Sequence, residues 1–442
     1  METPICDFVK DYIQKETLRL HMPGHKGVNF TGTEHMDITE ISGADCLYDA
    51  EGIIKKSEEN ASKLFGAHTF YSAEGSSLSI RAMLYLAMLA AGKSEGRPVV
   101  YAGRNAHKAF ISAAALLDFD IEWIFGEESY LSCNVMPIRL DKILSDAKVK
   151  PVAVYITSPD YLGNIQDIEG ISKVCKKHNV LLLVDNAHGA YLKFLGKSLH
   201  PIDLGADMCC DSAHKTLPVL TGGGYLHISN NADSMLKEQA KNALLLFGST
   251  SPSYLILQSL DMANSYLENY KERLLEFTDS IAKLKEKLIK QGFSLVGNEP
   301  LKLTVMTKPF GYMGSELADM LRVENIECEF QDPDFVVMMF SPEMKEHLGK
   351  IEKAFEKIEK RKPVVQKMPK ALGAEKVLSI RDACFSQKER LPVEECIGKI
   401  SADSVISCPP AVSIAVCGEK IDENMLLCFK YYGTKYLWVI KE

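Results

Sequence analysis

The sequence lacks the features of membrane, secreted and nucleic-acid-binding proteins. No window approaches the roughly 18 uninterrupted apolar residues that a membrane-spanning helix needs. Residues 1–8 contain neither a basic region nor an apolar core, so we expect no secretory signal and a cytoplasmic protein. The 51 basic residues are outnumbered by 59 acidic ones, and the formal net charge is −8. This charge argues against bulk binding to nucleic acid.

The chain also lacks disulfide, metal and serine-hydrolase motifs. Its 12 cysteines contain no Cys-x-x-Cys pair, which predicts reduced thiols rather than a disulfide scaffold. His21 and His25 are four residues apart, but Pro23-Gly24 between them excludes the helix that a zinc site of this spacing needs, so we expect no metal. Ser212 is not part of a Gly-x-Ser-x-Gly motif, and this argues against a hydrolase.

The hydrophobic pattern predicts an α/β protein. Hydrophobic residues make up 46% of the chain and charged residues 25%, which is typical of a soluble protein with a sizeable core. From about residue 51, short apolar runs alternate with segments of helical periodicity, which predicts a mostly parallel sheet covered by helices. The predicted strands are Thr69–Ser72, Pro98–Tyr101, Val152–Ile156, Val180–Val184, Met208–Cys210, Gly224–Ile228 and, near the end of the chain, Tyr436–Ile440. The predicted helices are Ile54–Phe65, Ser77–Leu89, Ala106–Leu117, Ile168–Lys177 and Ser253–Gln291, the last broken near Tyr270.

Three domains follow from this pattern. Residues 1–50 are polar and are expected to be irregular. Residues 51–291 are predicted to form a large α/β domain, and residues 292–442 a smaller α+β domain. Ligands bind at the carboxyl ends of the strands in sheets of this kind, and this places the candidate site in the large domain.

A lysine and an aspartate follow two of the predicted strands. Asp185 ends the apolar run Val180–Val184, and Lys215 follows a turn of small residues in Asp211-Ser-Ala-His-Lys-Thr-Leu-Pro218. Pyridoxal phosphate (PLP) needs these two groups: an amine that forms a Schiff base with its aldehyde, and a carboxylate that keeps its ring nitrogen protonated. A single lysine is more often a solvated surface charge. The pair together predicts PLP chemistry on an amino acid.

Small polar residues near helix starts are candidates for binding the phosphate. Small side chains let backbone N–H groups approach an anion at a helix N-terminus. The alternative is a simple serine cap. The candidate phosphate ligands are Gly75, Ser76, Ser77, Ser212 and His214. Ser249 and Thr250 lie in a second polar turn, Phe247–Ser253, for which the same two interpretations hold.

Two histidines have two interpretations each. His107 is either a helix-start residue or a flat ring that stacks on the cofactor. His188, which follows Ala187 and the candidate Asp185, either lies near the cofactor or hydrogen-bonds within the core. Ala187 and His188 are therefore included among the candidate cofactor contacts.

Six motifs of this sequence resemble those of the Orn/Lys/Arg decarboxylases, and they occur in the same order. These decarboxylases are fold-type I PLP enzymes with an aspartate-aminotransferase-like large domain. The motifs are His21-Met-Pro-Gly-His-Lys-Gly27, Asp37-Ile-Thr-Glu-Ile41, Arg104-Asn-Ala-His-Lys108, Val184-Asp-Asn-Ala-His-Gly-Ala190, Asp211–Pro218 and Ser249-Thr-Ser-Pro-Ser-Tyr254. The resemblance covers nearly the entire chain, and it is to the short, Gram-positive-type form. The segment Pro409–Glu419 is similar to the family's Pro-Pro-Gly-Ile-Pro segment, with Ala411 and Ser413 in place of Gly and Pro. Glu74 stands where the family usually has Asn, Asn186 replaces an acidic residue, and Gly222-Gly-Gly224 replaces a more polar stretch.

The resemblance implies roles for individual residues. Lys215 would carry the cofactor, Asp185 would pair with its ring nitrogen, and His107 would stack on its face. The implied phosphate ligands are Ser76, Ser77, Ser212 and His214. Ser249 and Thr250 would reach the cofactor phosphate of a neighbouring subunit, so we expect a homodimer or a higher homo-oligomer with shared active sites. The segment His21–Lys26 would cover the active site near the subunit interface.

The implied function is PLP-dependent decarboxylation of a basic amino acid, arginine or lysine ahead of ornithine, to the amine and CO2. Such amines belong to polyamine biosynthesis. Because the C-terminal segment is altered, a PLP-dependent aminotransferase or lyase acting on another amino acid is the alternative. A non-catalytic regulator is a third hypothesis, which the retained lysine, aspartate and phosphate ligands disfavour.

Overall fold

The structure is a computed structural model that describes residues 1–92, 96–126, 133–370, 373–403, 405–408 and 412–441, with residues 405–408 described by their backbone only. Pro409–Ala411 of the C-terminal motif lie outside the described residues. The chain packs as two compact units, Met1–Gly92 with Leu181–Leu274, and Lys93–Val180 with Leu275–Glu442. The predicted domain boundaries at residues 50 and 291 stay a prediction.

The helices and strands alternate along most of the described chain. The helices are α1 Pro4–Gln14, α2 Ile53–Phe65, α3 Gly75–Ala91, α4 Lys108–Leu117, α5 Pro137–Ser145, α6 Ile168–His178, α7 Ala213–Thr216, α8 Ser234–Glu238, α9 Ala240–Phe247, α10 Tyr254–Leu267, α11 Tyr270–Gln291, α12 Gly314–Val323, α13 Leu348–Glu356, α14 Ile380–Phe385 and α15 Glu423–Tyr431. The strands are β1 His68–Ser72, β2 Val99–Gly103, β3 Asp120–Ile124, β4 Ala153–Thr157, β5 Leu181–Asp185, β6 Met208–Asp211, β7 Gly224–Ile228, β8 Ser294–Val296, β9 Lys302–Met306, β10 Phe330–Gln331, β11 Phe335–Met339, β12 Lys388–Pro392, β13 Val405–Cys408, β14 Val412–Val416 and β15 Tyr436–Ile440. Short 3-10 helices cover Leu47–Asp49, Ala190–Phe194, Lys308–Phe310, Pro342–His347 and Val393–Glu395.

The first unit contains strands in the order β1-β7-β6-β5. Strands β5 and β6 are parallel, with Asp185 opposite Cys210. Strand β7 is antiparallel to both of its neighbours, β1 and β6. The carboxyl ends of β5 and β6 therefore lie at the same edge, and the residues that follow them are brought close together.

The second unit contains three parallel strands in the order β4-β2-β3. It also contains an antiparallel sheet in the order β10-β11-β9-β8 and two antiparallel pairs, β12-β15 and β13-β14. A buried apolar cluster packs beside these strands and α15, and it includes Phe335, Val337, Ile414, Phe429 and Val439.

Most of the predicted elements are present, and the α/β class with mostly parallel large-sheet pairing is confirmed. The long predicted helix is divided between Leu267 and Tyr270. The expectation of an irregular segment over residues 1–50 is wrong in part, because Pro4–Gln14 is a helix. Pro4 occupies its first turn, Ile5 and Val9 are buried, and the Ile5 N–H donates to Asp261 at 2.9 Å. Among the described residues, no helix combines the length and apolar character that crossing a membrane requires.

Candidate active site

Lys215 lies in the short helix α7, directly after strand β6. Lys215 is partly buried, and its Nζ lies 3.1 Å from Nε2 of His188. His188 is itself buried. The two side chains share a hydrogen bond, so His188 can hold the lysine amine in place and exchange a proton with it.

Asp185 is the last residue of β5 and is 2% exposed. Its Oδ1 accepts a hydrogen bond from the Ala187 N–H at 3.2 Å and lies 3.7 Å from the Cys210 sulfur. One turn at the carboxyl end of β5 therefore contains Asp185, Ala187 and His188. The segment that leads from β6 to Lys215 begins at the same edge. The structure brings the predicted lysine and aspartate to the same edge of the first unit.

The candidate phosphate ligands meet at the start of helix α3. The hydroxyls of Ser76 and Ser212 are 2.8 Å apart, and the Ser76 N–H donates to the Ser212 hydroxyl at 3.4 Å. Gly75 has a φ of +64°, which favours glycine. A Cβ there would lie 3.3 Å from the His214 ring. Ser77, partly exposed, is the next residue in the same turn.

The glycine run Gly222-Gly-Gly224 supports this turn through its backbone. The Gly222 carbonyl accepts from the Gly75 N–H at 2.6 Å, and the Gly223 carbonyl lies 2.8 Å from Nδ1 of His214. Because a carbonyl only accepts, Nδ1 carries the proton and Nε2 is the other ring nitrogen available to a ligand. Burial lowers the pKa of His214 below its ordinary value.

Glu74 precedes this helix but is engaged elsewhere. Its Oε1 accepts a hydrogen bond from the Ser249 N–H at 2.7 Å. Ser249 and Thr250 are exposed and lie between α9 and α10. The acidic residue therefore anchors the second polar turn, and the contact of Ser249 and Thr250 with a neighbouring subunit's cofactor stays a prediction.

His107 caps helix α4 in the second unit. Its Nδ1 accepts a hydrogen bond from the Ala109 N–H at 3.2 Å, and the residue is exposed. The helix-start interpretation is therefore present in the structure. Stacking on a cofactor ring stays a prediction.

A buried polar cluster supports the turns after β5 and β6. Asp211 accepts from Asn186 at 2.6 Å and lies 3.2 Å from His200 and 3.1 Å from His227. Burial alone would raise the pKa of Asp211, but the charges and hydrogen bonds of the two histidines hold it below the ordinary value. The cluster ties the Asp185 turn to the Ser212 turn. Sequence reasoning missed it because its members come from separate segments, and two of them, His200 and His227, belong to none of the six motifs.

Sequence reasoning also missed a buried ion pair in the second unit. The guanidinium of Arg104 donates to both carboxylate oxygens of Glu419, at 2.6 and 2.7 Å, and to the Ser413 carbonyl at 3.1 Å. It lies over the Trp123 ring, 5.0 Å from the centroid. Arg104 is 2% exposed. The pair therefore joins the motif that contains His107 to the end of the C-terminal motif.

Three acidic residues, Asp45, Asp49 and Glu51, precede helix α2 and differ in their contacts. Asp45 accepts from the N–H groups of Glu51, Gly52 and Ile54 at 3.0, 2.8 and 2.9 Å, so it caps helix α2. Burial would raise the pKa of Asp45, but backbone donors, among them the N–H groups of Glu51 and Gly52, lower it below its ordinary value. Asp45 has a structural role, whereas Asp49 and Glu51 are exposed.

The residues at this edge suit PLP. The amine of Lys215 and the buried carboxylate of Asp185 have the chemistry that the aldehyde and the ring nitrogen need. The hydroxyls of Ser76 and Ser212 lie together beside Gly75, where a Cβ would crowd His214. This arrangement of small polar residues at a helix start is of the kind that binds a phosphate.

A family model described as Orn/Lys/Arg decarboxylase, major domain, matches residues 3–295. The arginine decarboxylase of Bacillus subtilis (strain 168) is 28% identical over 97% of this chain and 93% of its own length. The arginine decarboxylase of Halalkalibacterium halodurans is also 28% identical, over 96% of this chain and 92% of its own length.

Solved structures show the same fold. The constitutive lysine decarboxylase of E. coli superposes with a TM-score of 0.81 and 16% identity, covering 100% of this chain and 82% of the other. The lysine decarboxylase of Francisella novicida gives 0.79 and 17%, covering 99% and 81%. The predicted fold-type I architecture is confirmed by this likeness.

Proposed function

The chain belongs to the Orn/Lys/Arg decarboxylase family and is a PLP-dependent amino-acid decarboxylase, and we propose that it decarboxylates arginine or lysine, with ornithine less favoured. The observation that carries the proposal is the Lys215–His188 hydrogen bond at the strand edge where Asp185 lies. The curated relatives that carry the name arginine decarboxylase favour arginine as the first substrate to test.

When bound, PLP supplies an electron sink for the electrons released as the bond between the α-carbon and the carboxylate breaks. Lys215 would hold the cofactor covalently in the resting enzyme. The Asp185 carboxylate would accept a hydrogen bond from the protonated ring nitrogen, and its burial makes that charge-assisted hydrogen bond strong. Asp185 thus would keep the ring in its more electron-withdrawing form.

His188 and Lys215 would supply the proton that takes the place of CO2 on the α-carbon. Their nitrogens are 3.1 Å apart, so a proton on one is shared with the other. Either group would be able to give a proton to the α-carbon, and the other group would then reprotonate it. The burial of His188 keeps bulk water from competing for this proton.

The phosphate would be held by the Ser76 and Ser212 hydroxyls, with Gly75, Ser77 and His214 around them. Their turns are fixed by backbone hydrogen bonds to Gly222 and Gly223. A phosphate beside His214 would oppose the lowering of its pKa by burial, because a nearby anion favours the protonated ring.

The homodimer with shared active sites is part of the proposal. Leu18, Leu20 and Phe30 flank the segment His21–Lys26 and are 79%, 84% and 77% exposed. Apolar side chains this exposed in one segment favour burial against a partner, here a second copy of the chain. Mass measured by light scattering should give a dimer or larger.

We also propose a cytoplasmic location, which suits the free thiols of the described cysteines, and a role in polyamine biosynthesis.

The proposal is tested by incubating the purified protein and PLP with arginine, lysine or ornithine in deuterated water. We expect a singly α-deuterated amine from arginine or lysine, and none from the Lys215→Ala variant. Failure to form an amine from any of the three, by protein that retains PLP, would contradict the basic-substrate proposal. A keto acid formed together with pyridoxamine phosphate would instead support the aminotransferase alternative.

A further inference from the structure

Two cysteines of the second unit face each other outside the candidate active site. Cys384 lies on α14, and Cys417 follows β14. Their sulfur atoms are 3.4 Å apart. Cys417 is 2% exposed, whereas Cys384 is partly exposed. One thiol of the pair is thus accessible to a small reagent, and the other is accessible mainly to its neighbour.

The backbone around the pair holds the two thiols in register. The Gly418 carbonyl accepts from the N–H groups of Val377 and Leu378 at 2.9 and 3.1 Å. Gly418 has a φ of +90°, and a Cβ there would lie 2.5 Å from the Leu378 carbonyl oxygen. The turn that contains Cys417 is therefore fixed against the segment that leads into α14, and the sulfurs meet without a large movement of the chain.

The two thiols are chemically unequal. The hydrogen bond from Cys417, with the charge of Lys388 in addition, lowers the pKa of Cys384 below its ordinary value. The same hydrogen bond, together with burial, raises the pKa of Cys417. A thiolate is the attacking species in thiol–disulfide exchange. The exposed member of the pair is therefore the nucleophile, and the buried member is the resolving thiol.

We propose that Cys384 and Cys417 form a redox-active dithiol that a small-molecule disulfide converts reversibly to an intramolecular disulfide. The Cys384 thiolate attacks one sulfur of the reagent and releases one thiolate from it. Cys417 then gives up its proton and attacks the Cys384 sulfur, which releases the second thiolate. Two cysteine thiols are oxidised and one disulfide is reduced to two thiols, so electrons and protons balance.

The bond would act on the turn that presents Glu419 to Arg104. The Val416 N–H donates to Glu419 at 2.8 Å, so Cys417 lies between a residue that binds this carboxylate and the residue that carries it. Oxidation would tie that turn covalently to α14, which Arg381 anchors through the Ala115 carbonyl at 2.9 Å. The dithiol is thus placed to fix the geometry of the Arg104–Glu419 pair in response to oxidation.

The test uses the PLP-loaded wild-type protein, oxidised and reduced glutathione at set ratios, rapid alkylation and peptide mass spectrometry. We expect the tryptic peptides 382–388 and 400–420 to become joined, with the loss of two hydrogens and without retained glutathione. Because Cys408 is in the second peptide, fragment ions must place the bond at Cys417. The proposal would be overturned by glutathione that stays on Cys384 or by a bond at Cys408. It would also be overturned if both thiols of the folded protein remained free to be alkylated at a glutathione ratio that oxidises the thiols of the unfolded protein.

Variants separate the two roles. Cys384→Ser should leave Cys417 reduced, and Cys417→Ser should trap glutathione on Cys384. If Cys417→Ser does not fold, Cys417→Ala serves the same purpose, and the wild-type peptide map decides the proposal in either case. Cys328, which is also partly exposed, provides the matched control, since Cys328→Ser should leave the bond unchanged. Loss of the bond in that control would contradict the assignment.

Discussion

Replacing Glu419 with Gln tests the buried ion pair of the second unit. The carboxylate neutralises Arg104 through bonds of 2.6 and 2.7 Å, with side-chain exposures of 2% for Arg104 and 7% for Glu419. Gln has nearly the same shape and keeps one oxygen that accepts a hydrogen bond. It removes the charge and places an N–H₂ group opposite the second guanidinium nitrogen.

The expected loss is large because a buried positive charge is left without its counter-ion. Removing one partner of a buried pair costs about 3–5 kcal/mol. The Ser413 carbonyl and the Trp123 ring still contact Arg104, and Gln retains one acceptor. We therefore expect the lower end, about 3 kcal/mol, in the free energy of unfolding.

Urea-induced unfolding at pH 7.5 measures this loss. Glu169→Gln is the matched control, because Glu169 binds Lys173 at 2.7 Å on an exposed helix face, and we expect no measurable change there. Adding Arg104→Met to Glu419→Gln should recover part of the stability by removing the stranded charge. A Glu419→Gln protein as stable as the wild type would refute the claim that this pair is buried and charged.

Three further predictions concern the candidate site and the second unit. Asp185→Ala should weaken PLP binding and lower kcat by roughly a hundredfold or more, because no carboxylate keeps the ring nitrogen protonated; unchanged PLP affinity and kcat would contradict its role. His188→Phe should lower kcat by about 10–100-fold with little change in KM, since it removes the proton partner of Lys215; separate measurement of kcat and KM checks this, and a change confined to KM would count against it. Burial raises the pKa of Asp332 to about 7, above its value in the unfolded chain, so the folded protein loses stability as pH rises from about 4 to about 7. Asp332→Asn should therefore stabilise the protein at pH 8 by roughly 2–4 kcal/mol and have little effect at pH 4, because each tenfold change in proton affinity is worth about 1.4 kcal/mol. Urea-induced unfolding at the two pH values measures the difference. An equal effect at both would argue against the raised pKa.

The periodic parts of the fold were predictable from sequence. Gly224–Ile228 and Tyr436–Ile440 form strands with the predicted bounds, because short β-branched and aromatic runs between turn residues favour strands. Helix α1 was not predicted. It is short, its buried face consists of Pro4, Ile5 and Val9, and it is fixed by a hydrogen bond from the Ile5 N–H to Asp261, which is far away in the chain.

The local part of the candidate site was predictable for the same reason. Asp185 ends one strand and Lys215 comes shortly after the next, and parallel strands bring their carboxyl ends together. The Gly75–Ser76 turn is likewise local in sequence. The contacts that support these residues are not local. The approach of Ser212 to Ser76, the pairing of Asp211 with His200 and His227, and the pairing of Arg104 with Glu419 join distant segments, so neither spacing nor composition signals them.

Borohydride reduction of the PLP-loaded protein, followed by peptide mass spectrometry, tests whether Lys215 carries the cofactor. Reduction makes the bond between the cofactor and its lysine permanent, so the modified peptide identifies the lysine. We expect a pyridoxyl group on Lys215 and no modification in the Lys215→Ala variant. A pyridoxyl group on another lysine, or wild-type protein that binds PLP without any reducible bond, would contradict it.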